Sequence, residues 1–383
     1  MACGTFAFGF SSSVPMMIAI RFLTGLCNNN LAVTKSYLAD LSVGMEPAKR
    51  ALLFNYISAC FSGSRALTAG LAGMSVGIPF PGTDLLAAAP MALASVPIFA
   101  IAAVVHFCMP AADGIRKGAA SGRAAATTSL RMKVREHAAR FGAGLSEIRA
   151  DGLLRTLMWL YTANSFSNGA AFVGIIIILG LDTVHGGFGY KPKDAANAII
   201  LFGAISVLFQ VLLFGKLVRT LGSRGVYIWV GCPAIGVGTL LLPMAGVLKS
   251  NLLLLLGLAA SGLGIIALIP SNVAMTAAST PVGKHGITQG TFQGIGSFAR
   301  GAGPIGFGFL TSASRAIWLP FVLISATYWV AMLVALRRVP VDVCAPDRPG
   351  PGAASAGEDE DGIALVGPRR RRSMDDADAS DEV

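Results

Sequence analysis

Apolar residues in this chain come in long, nearly unbroken blocks rather than in the narrow stripes of a water-soluble helix. Full-length blocks run over Val14–Leu41, Ala51–Gly77 and Leu86–Met109. They resume over Leu154–Leu181, Ala195–Gly215, Val226–Leu248, Leu252–Ala278, Ile287–Ser312 and Ile317–Leu336. Each meets the roughly 18 to 20 residues that a bilayer-crossing helix needs. Backbone groups in lipid must bond within their own element, and these blocks are too long and continuous for barrel strands. The pattern predicts an all-α integral membrane protein that crosses the bilayer many times. Met1–Ser13 is apolar but too short to span, and it lacks the basic start and cleavage site of a signal peptide. It reads as a helix without its first half.

Two polar stretches divide the blocks. Ala111–Gly152 is alanine-rich and carries eight Lys or Arg residues between Arg116 and Arg149, and a polar tail follows Leu336. The expected organisation is therefore an incomplete N-terminal bundle over 1–110 (the stub plus three helices) and a central loop over 111–152. A complete six-helix bundle over 153–336 and a disordered tail over 337–383 follow. Arg369–Arg372 lies just before Ser373, but the tail is too poor in apolar residues to fold alone.

Composition agrees with lipid as the solvent: hydrophobic residues make up 54% of the chain and charged residues only 13%, at a mean hydropathy of +0.66. A soluble protein carries about twice that charge fraction. The basic residues also fall unevenly. Lys49, Arg50, the central loop, Lys216, Arg219, Arg224, Lys284 and the tail share one side; Lys191, Lys193, Lys249 and Arg315 lie on the other. Lys and Arg collect on the cytoplasmic side, which puts the central loop and tail there. The net charge of +10 is thus mostly a topology signal, able also to attract anionic lipid. Nucleic acid is not an expected partner, because the basic loops lack interleaved aromatics.

An internal repeat sits among the spans. The stretch Lys284–Gly308 matches Lys49–Gly73 without a gap, placing Lys49 on Lys284, Arg65 on Arg300 and Gly73 on Gly308. Duplicated halves would produce this, as would chance agreement between two glycine-rich helices. Duplicated transporters place the substrate site between their repeats. Arg65 and Arg300 lie about 14 residues into their helices, roughly 21 Å at 1.5 Å per residue, near the middle of a core about 30 Å thick. Guanidinium groups there need acids, carbonyls or water, or a ligand with an anionic group; their planar fork suits carboxylate or phosphate.

Other chemistries find little support. Cys3, Cys27, Cys60, Cys108, Cys232 and Cys344 show no metal-ligand spacing and read as small apolar residues. Gly301-Ala-Gly303-Pro-Ile-Gly306 fits G-x-G-x-x-G, yet it lies inside a lipid-length helix, not between a strand and a helix. Small residues there let helices approach closely. No P-loop is present, and no nucleophile–base arrangement stands out, so neither a cofactor nor an enzyme is expected.

One stretch carries a family resemblance. Arg21-Phe-Leu-Thr-Gly25, then Asn28-Asn-Asn30, Val33, Lys35-Ser-Tyr37 and Asp40, resembles the fourth helix of the major facilitator superfamily, in its zinc-induced-facilitator-like and tetracycline-efflux-like branch. The copy ending at Gly73 falls where that family has its fifth helix. Gly286, Gly290, Gln293, Ser297, Arg300 and Gly303-Pro304 resemble its eleventh, and Leu181–Lys193 the segment after its seventh. The resemblance implies twelve spans in two bundles, of which the first two and part of the third have no counterpart here. The proline of the antiporters' fifth-helix motif is also missing from Thr68-Ala-Gly-Leu-Ala-Gly73.

What the resemblance implies is a secondary active transporter working by alternating access. It would move a small organic solute, with proton-coupled export as the expected mode. The other reading is a fragment or paralogue that binds a ligand or partner helices without transporting. Arg21, Arg65 and Arg300 are the candidate substrate or coupling residues; the resemblance makes Arg21 the coupling arginine of the fourth helix, the other reading being that it reaches toward the outer interface. Gly70, Gly73, Gly303, Pro304 and Gly306 are candidate packing or hinge positions. Lys35 and Asp40 are expected near the cytoplasmic end, explained by snorkelling and helix-end pairing. His106 reads as structural, and Asp182 as the outer end of its helix.

Overall fold

A computed structural model describes residues 2–11, 13–26, 34–35, 38, 45–75, 91–92, 95–96, 99, 130–281, 284–314, 316–341 and 343. Asp40, His106, Arg315 and the tail from residue 344 lie outside the described residues, as does most of the span expected over Leu86–Met109. Helices are α1 (Ala2–Gly9), α2 (Val14–Leu26), α3 (Pro47–Ser75), α4 (Leu130–Ala150) and α5 (Gly152–Gly180). They continue with α6 (Pro192–Phe209), α7 (Gly215–Gly225), α8 (Cys232–Val247), α9 (Asn251–Ser279), α10 (His285–Ser314) and α11 (Trp318–Arg338). No strand occurs among the described residues.

α5, the continuous stretch from Pro192 to Val247, α9 and α11 are long and apolar enough to cross a membrane. The stretch 192–247 divides into two helical segments. Gly222 has φ 68° and ψ 167°, values that an L side chain resists, and there the chain reverses from α7 towards Val226–Gly231 and α8. α6 passes into α7 through a wider π turn at Gln210–Phe214. Helix starts are capped where the sequence allows: the Asp151 carboxylate accepts from Leu153 N–H at 2.7 Å and from Leu154 N–H at 3.2 Å. Between α5 and α6 the chain folds back tightly, Phe188 N–H donating to Ile178 and Tyr190 N–H to Leu179.

Helix direction follows from close glycine contacts. Along α5 and α10 the pairs advance together, Tyr161 with Gly296, Phe166 with Gly303 and Phe307 with Gly174, so these helices run parallel. Between α3 and α6 they run opposite ways, Gly63 facing Val207, Gly70 facing Ile200 and Gly73 facing Ala196. Since α6 returns antiparallel to α5, α3 and α10 point the same way, as a parallel repeat requires. Small residues let backbones approach where lipid offers no hydrophobic drive between helices.

The basic residues gather at one end of these helices. Lys49 and Arg50 open α3, and Lys284 precedes α10. Arg224 donates from Nε to the Val339 carbonyl at 2.8 Å and from Nη2 to Leu336 at 3.1 Å, closing the basic end of α11. The central polar stretch is less loop-like than its composition suggests, because its last part is α4. This helix seats Gly144 against Thr291 and Ile287 of α10, buries Ile148, and pairs Glu147 with Lys284 at 2.9 Å. A residue pattern dominated by charge hid its one buried edge.

Candidate functional site

A cavity of about 340 Å³ lies between α3 on one side and α5, α6, α9 and α10 on the other. Its walls are mainly apolar, with Ile57, Phe172, Phe202 and Ile265 among them. Lys35, Asn168, Gln210 and Arg300 supply the large polar side chains. No carboxylate is among the described residues that line it. In so apolar a setting electrostatic interactions are much stronger than in water.

Lys35 is buried, only 5% exposed. Its Nζ donates to Gln293 Oε1 at 3.1 Å and approaches Tyr161 Oη at 3.2 Å, and it stands 5.3 Å from the centre of the Tyr161 ring. Tyr161 in turn donates to Gln293 Oε1 at 2.8 Å. Among the described residues the ammonium is thus held by neutral dipoles and a ring face rather than by a counter-charge. This corrects the expectation that Lys35 snorkels at a helix end: it reaches inward across to α5 and α10. Burial without an anion is the arrangement that most favours an incoming one.

Arg300 comes from the middle of α10 and is half-buried on the cavity wall, where its Nε lacks a hydrogen-bond partner among the described residues. Two local features place it. Gly169 lets α5 come so close that a Cβ there would collide with the Arg300 carbonyl. Pro304, which also lines the cavity, has no N–H to return to that same carbonyl, four residues earlier. The helix is therefore locally loosened where its charge faces the cavity.

Elsewhere on the cavity wall α6 opens into its π turn. Asn55 of α3 donates from Nδ2 to the Gln210 carbonyl at 3.0 Å, bridging the seam between the two helices. The Gln210 side chain is only 1% exposed, and neither of its amide atoms has a partner among the described residues. π turns inside helices recur at functional sites.

The arrangement is a charged pocket walled by long helices, and comparison with known proteins gives the family of the chain. A model of the Major Facilitator Superfamily matches residues 1–304. The chain belongs to the major facilitator superfamily. As a member of that superfamily it is a secondary membrane transporter and not an enzyme. It is 27% identical to the class G tetracycline resistance protein of Vibrio anguillarum over 335 residues, covering 85% of this chain and 76% of that protein. The crystal structure of the human organic anion transporter MFSD10 (TETRAN) shares its fold at a TM-score of 0.55 and 17% identity, over 87% of this chain and 75% of that one.

The structure treats the candidate residues of this transporter differently. Arg300 and Pro304 line the cavity; Gly303 and Gly306 pack against Phe166, and Gly70 and Gly73 against α6. Arg21 and Arg65 stand on α2 and α3, but their side chains lie outside the described residues. Sequence reasoning passed over Asn55, Asn168 and Gln210, and took Gln293 only as part of a motif. A signal was available: each is an amide inside an apolar block, where polar residues are costly to keep.

Proposed function

We propose that this transporter carries a small organic solute with an anionic group, bound in the cavity between α3 and helices α5, α6, α9 and α10. The observation that carries the reading is the pairing of Lys35 and Arg300 on a mainly apolar cavity whose described lining residues include no carboxylate. The anion would take the place of Gln293 Oε1 on Lys35 and give the buried, unpartnered Nε of Arg300 a partner. Alternating access would then rock 153–336 against 1–110, with 111–152 joining them and 337–383 as a tail. Gly303-Pro304 would serve as the hinge, and the glycine seams at Gly70, Gly73 and Gly306 as sliding surfaces. Arg21 and Arg65 would complete the charge on the N-terminal side.

The basic end is proposed to face the cytoplasm, since Lys and Arg collect there. Export driven by protons is the proposed mode, supported by similarity to a protein named for tetracycline resistance. Proteoliposomes holding the full chain and loaded with benzenesulfonate, a permanent anion that lipid does not pass, should release it faster under an imposed proton gradient. Titration calorimetry in lipid nanodiscs checks the site itself. Lys35→Ala and Arg300→Ala should each weaken benzenesulfonate binding at least about tenfold, as loss of a charge-assisted hydrogen bond does. Arg300→Lys should recover part of the loss. Unchanged affinity in both Ala variants would sink the anion reading.

A further inference from the structure

The side-chain amide of Gln210 makes no hydrogen bond among the described residues, and this is what makes it informative. It sits in the apolar block of α6, where a leucine would fill the same space at no polar cost. Its backbone carbonyl is taken up by Asn55, so the backbone at this point is satisfied. The side-chain amide, by contrast, is almost fully buried with both nitrogen and oxygen unpaired among the described residues, and it lines the same cavity as Lys35 and Arg300. A buried amide normally has partners. One on a residue that lines a cavity has a donor and an acceptor to offer to what enters.

Resting on the anion reading above, we propose that Gln210 is the second recognition pole of the site. The solute class is then an anion that also carries a neutral hydrogen-bonding group, such as a hydroxyl, on an apolar body. Lys35 and Arg300 take the anionic group. The amide of Gln210 takes the hydroxyl, accepting its proton at Oε1 while Nε2 can donate to its oxygen. Ile57, Phe172 and Phe202 pack on the body between. A cavity that leaves a buried amide unpaired favours solutes that bring a hydroxyl, because only they supply the bond that the already desolvated amide lacks.

The test compares benzenesulfonate with 4-hydroxybenzenesulfonate, which differ by one hydroxyl, on the full chain in nanodiscs. The unaltered protein should bind the hydroxylated anion about tenfold more tightly. Gln210→Leu and the less disruptive Gln210→Met should abolish that preference, leave benzenesulfonate affinity within about twofold, and keep the midpoint of thermal unfolding. A preference that survives both substitutions overturns the proposal, and so does the absence of any preference in the unaltered chain. A clear loss of folding in both variants would make the amide structural and overturn it too. Benzenesulfonate binding that is insensitive to Lys35 and Arg300 defeats the anion reading first and this one with it. Normal benzenesulfonate binding without hydroxyl preference defeats this one alone.

Discussion

Glycines of one helix differ sharply in what they do. A Cβ at Gly303 would meet the Phe166 carbonyl and the Ala170 amide, both backbone atoms that cannot swing aside. One at Gly301 or Gly308 meets nothing within 4 Å. Gly303→Val should therefore push α10 off α5 and cost about 1–3 kcal/mol, the usual size of overpacking. Gly301→Ala should cost nothing and gain slightly in helix propensity. Unfolding midpoints of the two purified variants check this, and equal midpoints would refute the seam. Charge follows the same rule: Lys35 matters through the partners it reaches on other helices, not through its place in its own.

Among the elements, the seam between α3 and α6 is where the polar and apolar demands meet. A π turn bonds i to i+5 and interrupts the regular pairing of carbonyls, and Asn55 fills the gap at Gln210. Asn55 is itself buried. Asn55→Leu should strand the Gln210 carbonyl and destabilise the chain by about 1–3 kcal/mol, the cost of a buried group left unmade. Amide hydrogen exchange should rise over 206–214 while α8 and α9 stay protected. Exchange unchanged over that stretch would mean the bridge is dispensable. α4 follows other rules: its Glu147–Lys284 pair is half-exposed at Lys284, so reversing one charge should barely move stability.

For the whole molecule, orientation is the open quantity that a few labels can read. Glu46 and Ser146 are exposed at the basic end, and Val184 is exposed beyond α5 at the other. In a background with the six native cysteines replaced, Glu46→Cys and Ser146→Cys should react with an impermeant maleimide only from the cytoplasmic side. Val184→Cys should react only from the opposite side. The reverse pattern would turn the transporter over and make the direction of export wrong.

Hydrophobic runs alone determined that the chain is helical and membrane-crossing, and they located the long helices after Gly152. The reason is physical: in lipid a span can satisfy its backbone only within itself, so length and polarity suffice. Arg300 was also legible, since a charge at mid-depth stands out in any apolar run. Packing decided the rest. Lys35 looked like a helix-end residue because its distance along the chain says nothing of Tyr161 and Gln293, more than a hundred residues away. The α4 docking edge was masked by surrounding charge, and Gln210 read as one polar residue in a greasy helix. Only the approach of α3 across the seam showed that its backbone was taken while its side chain has no hydrogen-bond partner among the described residues.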